Sequence, residues 1–330
     1  MTQFGLVASG GGYRSFYTEG ALVWLKRHDV PVVHITSTSS GNNVVLDYLL
    51  WDWEGEELPP VLTQTLRLSF RDIFEVFSNF AGLQPAFLPN GSHLFTVNKS
   101  RCRRSLLLDD PQRRGLLAGH LGGVKWDIMT TNLTERRSAL FSVNEILARI
   151  DDDSISKFMD VFIAGITTIP YFKATQVDGQ YYLEGGYVDN TPLRPLFEDP
   201  SVDEIIAVDF TDYDYHVALD KAYNRLSLVM MANSIDMNLL VSDIQWSLPN
   251  RSILCQAFFI NQLLETLDRP SITVGDKTYY RKPLHILRPR NLESMTVSLK
   301  DIRAQKAYYQ LGQQEAERLL ESILGKQTET

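Results

Sequence analysis

The first 53 residues contain two apolar runs typical of buried strands, each followed by a turn of small residues and a helical pattern. Phe4–Ala8 leads into the turn Ser9–Gly12, and Pro31–Thr36 leads into Ser37–Gly41 and a helix from Asn42 to Trp53. Strand–helix repeats at this spacing predict a parallel sheet, because parallel neighbours require a crossover connection. We therefore expect an α/β fold with three α/β/α layers and a mainly parallel central sheet.

The same alternation returns in the second part of the chain. It predicts strands at Lys125–Thr131, Ser138–Ser142, Ile205–Val208 and Leu284–Leu287, and a short strand and turn at Tyr181–Gly186. It predicts helices at Ile155–Ile163, Leu226–Leu240 and Leu299–Ile323. The last helix is amphipathic and is expected to dock on the sheet. Residues 54–123 lack the alternation, so they are predicted to form a lid or insertion after the second strand–helix unit. The whole chain, 1–330, is expected to be a single domain.

The predicted insertion contains an apolar stripe and a group of arginines, and each can be interpreted in two ways. An apolar stripe at helical spacing could line an acyl channel or lie on a membrane, but packing on the domain core is the ordinary meaning of such spacing. The stripe consists of Leu66, Phe70, Ile73, Phe74 and Phe77. The arginines between Arg101 and Arg114 could meet lipid headgroups or form solvated surface charge.

The charge and composition of the chain argue against several classes of function. A net charge of −8 and a pI near 5.3 argue against general nucleic-acid binding, which needs a basic face. Cys102 and Cys255 stand far apart and fit neither a disulfide framework nor a zinc site. No signal-peptide pattern and no apolar run of about 18 residues occurs, so we expect a cytoplasmic protein that touches lipid only from the soluble phase. No metal-ligand cluster or cofactor motif is visible.

The glycine triplet Gly10, Gly11 and Gly12 stands between a strand and a helix. Such a turn brings bare N–H groups to a helix N-terminus, where they can bind a phosphate or a transient oxyanion. A P-loop is excluded because no G-K-[S/T] follows, and Ser15 occupies the position of the last glycine of a dinucleotide fingerprint. A simple tight turn is the alternative.

The second turn, Ser37–Gly41, is similar to the nucleophile elbow G-x-S-x-G, with Ser37 in place of the first glycine. Its central residue, Ser39, is therefore a candidate nucleophile, although a polar turn would have the same composition. An α/β-hydrolase would carry this elbow later in the chain and a catalytic histidine after it. The six histidines here have ordinary contexts, so the base would have to be another group. They are His28, His34, His93, His120, His216 and His285.

A third segment, Gly179–Pro192, supplies that group: Glu184 ends a short strand and is followed by two glycines. The glycine triplet with Arg14, the early elbow and this acid–Gly–Gly–x–x–x–Asn–x–Pro segment together resemble the patatin-like phospholipase family. Three further segments are similar to the same family: Ile128–Leu133, Ala164–Pro170 and Leu284–Pro289. The resemblance covers most of the chain, and residues 54–123 match least.

The resemblance implies a serine acyl hydrolase that uses a serine–carboxylate dyad, forms an acyl-serine intermediate and needs no cofactor. Ser39 would be the nucleophile and Glu184 the base, at a position where the family has aspartate. Gly10, Gly11 and Gly12 would form the oxyanion hole, supported by Arg14, Ser40 and Asn190. The expected substrate is a phospholipid, a lysophospholipid or another acyl ester, reached through transient contact with a membrane surface.

Several alternatives remain open from the sequence. Glu184 could still pair with Ser39 after a backbone shift, Asp189 could assist, or the site could be impaired by the longer side chain. An acyltransferase or cyclase would use the same acyl-enzyme with another acceptor. A non-catalytic binding protein could keep the fold alone. Oligomeric state is not predicted.

Overall fold

The computed structural model describes residues 2–60, 97, 99–168, 172–210, 252–289 and 302–327. The apolar stripe from Leu66 to Phe77 and the helix predicted at Leu226–Leu240 lie outside these described residues. The insertion predicted for residues 54–123 is described only in part.

The described residues form strands and helices that follow the predicted order. The strands are β1 (Phe4–Ala8), β2 (Val32–Ser37), β3 (Lys125–Asn132), β4 (Arg137–Ser142), β5 (Thr175–Val177), β6 (Gln180–Glu184), β7 (Glu204–Val208), β8 (Ser271–Val274), β9 (Lys277–Tyr280) and β10 (Leu284–Leu287). The helices are α1 (Ser15–Arg27), α2 (Ser40–Leu49), α3 (Lys99–Ser105), α4 (Pro111–Leu121), α5 (Val143–Ile146), α6 (Asp152–Ile166), α7 (Arg194–Glu198), α8 (252–266) and α9 (Ile302–Gln327).

The central sheet has eight strands, with the order β10-β7-β1-β2-β3-β6-β5 and β4 paired to β3. Strands β10, β7, β1, β2 and β3 are parallel to one another, whereas β4, β5 and β6 are antiparallel additions at one side. β8 and β9 form a separate hairpin. The predicted fold class, α/β with a mainly parallel sheet, is confirmed.

The side chains of β1 alternate between the two faces of the sheet, which explains why helices pack on both faces and give three layers. Phe4, Leu6 and Ala8 point into one apolar core, which they share with α1, α2, α6 and α9. Val7 points into the opposite core, which is built by α7, α8 and β7. Because successive strand residues face opposite sides, a run that is apolar throughout can bury both faces of the sheet.

The pairing along β3 decides where the candidate acid lies. β2 pairs with β3 as far as Ser37 opposite Ile128, and β6 then pairs with β3 from Thr130, opposite Glu184. Since β4 occupies the other flank of β3, β2 and β6 must share the same flank. Their carboxyl ends therefore meet nearly head-on, although one strand is parallel to β3 and the other antiparallel.

The C-terminal helix α9 packs on α1 at unusually close range. A Cβ atom placed on Gly20 of α1 would lie 2.0 Å from the carbonyl oxygen of Tyr309, and one on Gly312 would lie 2.0 Å from that of Tyr17. Two glycines thus allow the helix backbones to touch. The sequence predicts that this helix docks on the sheet; among the described residues it contacts the sheet at β10, but its main partner is α1.

Most of the described arginines between Arg101 and Arg114 form ion pairs with other residues of the protein. Arg113 is paired with Glu56, and Arg103 and Arg114 both bind Asp152. These contacts, with a hydrogen bond from Arg113 to the carbonyl oxygen of Leu50, tie α3 and α4 to α6 and to the end of α2. No helix among the described residues combines the length and apolar character that crossing a bilayer requires.

Candidate active site

Ser39 lies between β2 and α2 in a strained backbone conformation, with φ 52° and ψ −127°. A non-glycine residue in this region costs about 1–3 kcal/mol and persists only where the surrounding structure enforces it. A strained serine between a strand and a helix is the geometry of a nucleophile elbow. The side chain is partly exposed, so a substrate can reach it.

The neighbours of Ser39 explain which positions of the elbow must be small. A Cβ atom on Gly41 would lie 2.0 Å from the carbonyl oxygen of Ala8, so glycine is required there. Ser37 is accommodated instead by hydrogen bonds: its Oγ donates to Asn42 Oδ1 at 2.6 Å and accepts from Trp126 Nε1 at 2.7 Å. The missing first glycine therefore leaves the turn intact.

Glu184 is held rigidly at the end of β6 and is only 1% exposed. Its backbone N–H donates to the carbonyl oxygen of Thr167 at 3.0 Å, and its own carbonyl oxygen accepts from Thr131 Oγ1 at 2.8 Å. Gly185 follows so close to Met129 that a Cβ atom would lie 2.6 Å from the Met129 backbone. The backbone on both sides of the carboxyl group is thus fixed.

The structure brings the side chains of Ser39 and Glu184 together. Burial raises the pKa of Glu184 to about 7, and hydrogen bonds from the side chains of Ser39 and then Thr168 oppose this rise in pKa. Within the described residues, Oε1 of Glu184 accepts no hydrogen bond. A buried carboxyl group with a pKa near neutrality can exchange a proton with a hydroxyl group at physiological pH.

Asp189 also lies beside the elbow but has a different partner. Its Oδ1 accepts from the backbone N–H of Thr191 at 3.1 Å, and its carbonyl oxygen accepts from Thr38 Oγ1 at 3.3 Å. Burial raises its pKa to about 6, and the bond from Thr191 lowers it. No Ser39–Asp189 hydrogen bond is found among the described residues, and the Asp189 carboxylate caps the loop through Thr191.

The glycine loop lies directly against Ser39, but two of its amides are engaged. Gly10 N–H donates to Asn190 Oδ1 at 3.1 Å, and Gly11 N–H donates to Ser40 Oγ at 3.0 Å. Gly12 has a φ of 58°, and no described residue accepts a hydrogen bond from its N–H. Arg14 is buried at the end of the 3-10 turn Gly12–Arg14 that leads into α1.

The described histidines have structural roles. His34 bridges Asp199 at 2.8 Å and Asp127 at 2.9 Å, and His285 contacts Glu204 at 2.6 Å. His28 and His120 bond to backbone carbonyl oxygens through Nδ1. His93 and His216 lie outside the described residues. In the described ranges no group of three or more histidine, cysteine or acidic residues could hold a metal ion.

The family resemblance names Asn190 as a supporting residue without its contact with Gly10, and Thr168 is not among the site residues predicted from the sequence. The Thr168 side chain lies beside that of Glu184 and opposes the rise in its pKa, and the Asn190 side chain binds both the N–H and the carbonyl group of Gly10. Thr168 directly precedes Ile169 and Pro170 in the sequence, so its position in the chain is a usable signal. The contact of Asn190 joins residues that are 180 positions apart, which no local pattern reveals.

The chain is similar to one known family and to two solved structures. The model of the patatin-like phospholipase family matches residues 6–197. The structure of VipD from Legionella pneumophila is similar with a TM-score of 0.42 and 11% identity, over 96% of this chain and 66% of VipD. The structure of full-length ExoU with full-length SpcU, from the type III secretion system of Pseudomonas aeruginosa, is similar with a TM-score of 0.28 and 12% identity, over 76% of this chain and 52% of the other. The chain thus spans roughly half to two thirds of these neighbours. No curated protein sequence matches the chain significantly.

Proposed function

The chain belongs to the patatin-like phospholipase family, and from this premise we propose that it is a serine acyl hydrolase that cleaves acyl-lipid esters. Ser39 is the nucleophile and Glu184 is its base. The observation that carries the proposal is the position of the strained, partly exposed serine beside the buried carboxyl group, whose pKa its side chain lowers. A nucleophile is activated by a base within hydrogen-bond reach, and here that base is a carboxylate rather than a histidine.

The first half-reaction transfers the acyl group to the enzyme. Glu184 takes the proton of the Ser39 hydroxyl as Oγ attacks the ester carbonyl carbon, which gives a tetrahedral oxyanion. The C–O bond to the leaving alcohol then breaks, and Glu184 returns the proton to that alcohol. An acyl-serine ester remains. The pKa of about 7 suits both roles, since the group can accept and donate a proton near neutral pH.

The oxyanion is stabilised by the glycine loop and by the N-terminus of α2. Gly12 N–H is the donor that needs no rearrangement, and Gly11 N–H becomes a donor when the Ser40 hydroxyl gives up its hydrogen bond. One such donor contributes about 3 kcal/mol to transition-state stabilisation. α2 begins at Ser40, so the positive end of its dipole lies beside the reacting atoms.

The second half-reaction frees the enzyme. Water attacks the acyl carbon while Glu184 removes its proton, and the collapse of the second tetrahedral intermediate releases a carboxylic acid and restores the Ser39 hydroxyl. An alcohol or thiol in place of water would make the protein an acyltransferase. The shape of the pocket decides which molecule accepts the acyl group from Ser39. Nothing in the described residues favours an alcohol or thiol over water as that acceptor.

A phospholipid or lysophospholipid is the substrate class that the family supports best. Reaching such a substrate requires transient contact with a membrane surface. We further propose that residues 54–123 are an insertion within a single domain. Support comes from the sheet, because β2 and β3 pair directly although the whole stretch between Ser37 and Lys125 separates them in the chain.

A covalent labelling experiment tests the proposed function. The wild type should react with a fluorophosphonate probe and, with a panel of phospholipids and lysophospholipids, should gain the mass of an acyl group. Ser39→Ala should do neither. Ser322→Ala removes an exposed hydroxyl on α9 and should react like the wild type. A folded wild type that neither reacts with the probe nor releases fatty acid would favour a non-catalytic protein.

A further inference from the structure

The carboxamide of Asn190 holds Gly10 from both sides. Asn190 Oδ1 accepts from the Gly10 N–H at 3.1 Å, and Asn190 Nδ2 donates to the Gly10 carbonyl oxygen at 2.9 Å. The side chain is only 5% exposed, so water does not compete strongly for these bonds. Both backbone hydrogen-bonding groups of Gly10 are thus satisfied by one side chain, as a neighbouring strand would satisfy them.

Gly10 is wedged between this carboxamide and the nucleophile. A Cβ atom on Gly10 would lie 2.5 Å from Asn190 Oδ1, 2.7 Å from Ser39 Cβ and 3.4 Å from Ser39 Oγ. Any movement of Gly10 away from Asn190 therefore moves the glycine loop relative to the serine. Since Gly11 and Gly12 follow directly, the same movement displaces the amides that face the developing oxyanion.

The residues next to Asn190 connect the same segment to the elbow. Thr38 Oγ1 donates to the Asp189 carbonyl oxygen at 3.3 Å, and Thr36 Oγ1 donates to the Pro192 carbonyl oxygen at 2.8 Å. The segment 189–192 also follows the acid Glu184 by a single short turn. One stretch of chain thus joins the acid, the serine elbow and the glycine loop.

We propose, on the basis of the acyl transfer proposed above, that Asn190 is a positioning residue that sets the distance between the glycine-loop amides and Ser39. It acts through Gly10 and does not touch the substrate. Only a carboxamide can do this, because it offers an acceptor and a donor at once. An aspartate of the same shape keeps the acceptor but places a second oxygen against the Gly10 carbonyl oxygen.

The test compares Asn190→Asp and Asn190→Ala with Thr36→Val. The valine is nearly isosteric with threonine and removes a buried hydrogen bond to the same segment without affecting Gly10. Both Asn190 variants should lower kcat about 10²-fold, the effect of losing an oxyanion donor, with KM within about threefold of the wild-type value. Thr36→Val should keep kcat within about threefold of the wild-type value. Equal kcat in all three variants would overturn the proposal.

Amide hydrogen exchange supplies a readout that needs no catalysis. Peptides covering residues 8–14 should exchange about tenfold faster in Asn190→Ala than in Thr36→Val, because the Gly10 amide loses its acceptor. Asn190→Asp replaces the alanine variant if that variant does not fold. The aspartate keeps the acceptor for the Gly10 N–H, but its second oxygen repels the Gly10 carbonyl oxygen, so exchange in the same peptide should still be faster than in Thr36→Val. Unchanged exchange would overturn the positioning role even in an active enzyme. A wild type that fails to react at Ser39 contradicts the proposed hydrolase, whereas the exchange result still decides whether Asn190 holds the loop.

Discussion

The side chain of Ser39 lies beside that of Glu184, a carboxyl group that is 1% exposed and distant in the chain, and it opposes the rise in pKa that burial causes. This contact joins the carboxyl ends of β2 and β6, which meet along one flank of β3. Proton transfer across it should govern how activity depends on pH.

We expect kcat/KM for a p-nitrophenyl ester to rise with pH and to level off above a midpoint of about 7. The base must be ionised to accept the serine proton, and burial raises the pKa of Glu184 to about 7. Initial rates measured from acidic to mildly alkaline pH, across this midpoint, would locate it. A profile that is flat over this range would assign the base to another group.

Glu184→Gln should abolish esterase activity and stabilise the fold at a pH above 7. The folded pKa lies above the ordinary value of 4.5, so the unfolded chain loses this proton first and wild-type stability falls as pH rises from about 4.5 to about 7. At about 1.36 kcal/mol per pKa unit, the rise from 4.5 to about 7 corresponds to a free-energy cost of about 3 kcal/mol.

Urea unfolding at about pH 8 and at about pH 4.5, on either side of this titration, would measure that difference. The glutamine variant should be more stable than the wild type at the higher pH, and the gap should close at the lower pH. Glu265→Gln, on the exposed face of α8, is the matched control and should show no such pH dependence. A glutamine variant that is less stable at the higher pH would contradict the cost of burying this charge.

Glu184→Asp should lower kcat about 10²-fold, although aspartate is the residue that the family resemblance leads one to expect. The backbone of Glu184 is fixed by Thr167 and Thr131, so the shorter side chain withdraws its carboxylate from Ser39 by about 1 Å. Steady-state kinetics on the same ester would measure the loss. Wild-type activity in this variant would mean that β6 can adjust its position.

Gly41→Ala should destabilise the protein by about 3 kcal/mol or prevent folding, since the new Cβ atom would lie 2.0 Å from the Ala8 carbonyl oxygen. Gly119→Ala is the matched control. Gly119 lies in α4, and a methyl group added there would have nothing within 4 Å, so the replacement should stabilise the helix by up to about 1 kcal/mol. Thermal unfolding of both variants would check the contrast.

Local patterns in the sequence are sufficient to predict the central strands and the turns that follow them. β1 and β2 are continuous apolar runs, and small residues mark the turns at Ser9–Gly12 and Ser37–Gly41. The boundaries are less predictable. The sequence predicts that α2 reaches Trp53, but the helix ends at Leu49, because Trp51 turns into the core and its Nε1 donates to the carbonyl oxygen of Glu56 at 3.0 Å.

Pairing between distant segments cannot be predicted from these local patterns. Nothing local indicates that β6 runs antiparallel to β3 on the flank shared with β2, and this pairing is what brings Glu184 towards Ser39. The rise in the Glu184 pKa likewise depends on burial by the assembled fold. The short strands β5, β8 and β9 carry few residues each, which leaves little periodicity to detect.

The topology also sets a lower limit on the length of a chain that can fold. The family-matching segment, 6–197, ends before β7, yet β7 is the strand that separates β1 from β10 in the sheet. A truncation at residue 197 would leave one edge of β1 unpaired and would strip from α1 the helix that covers Gly20. We therefore expect the smallest fragment that folds on its own to extend well past the family boundary and to include α9.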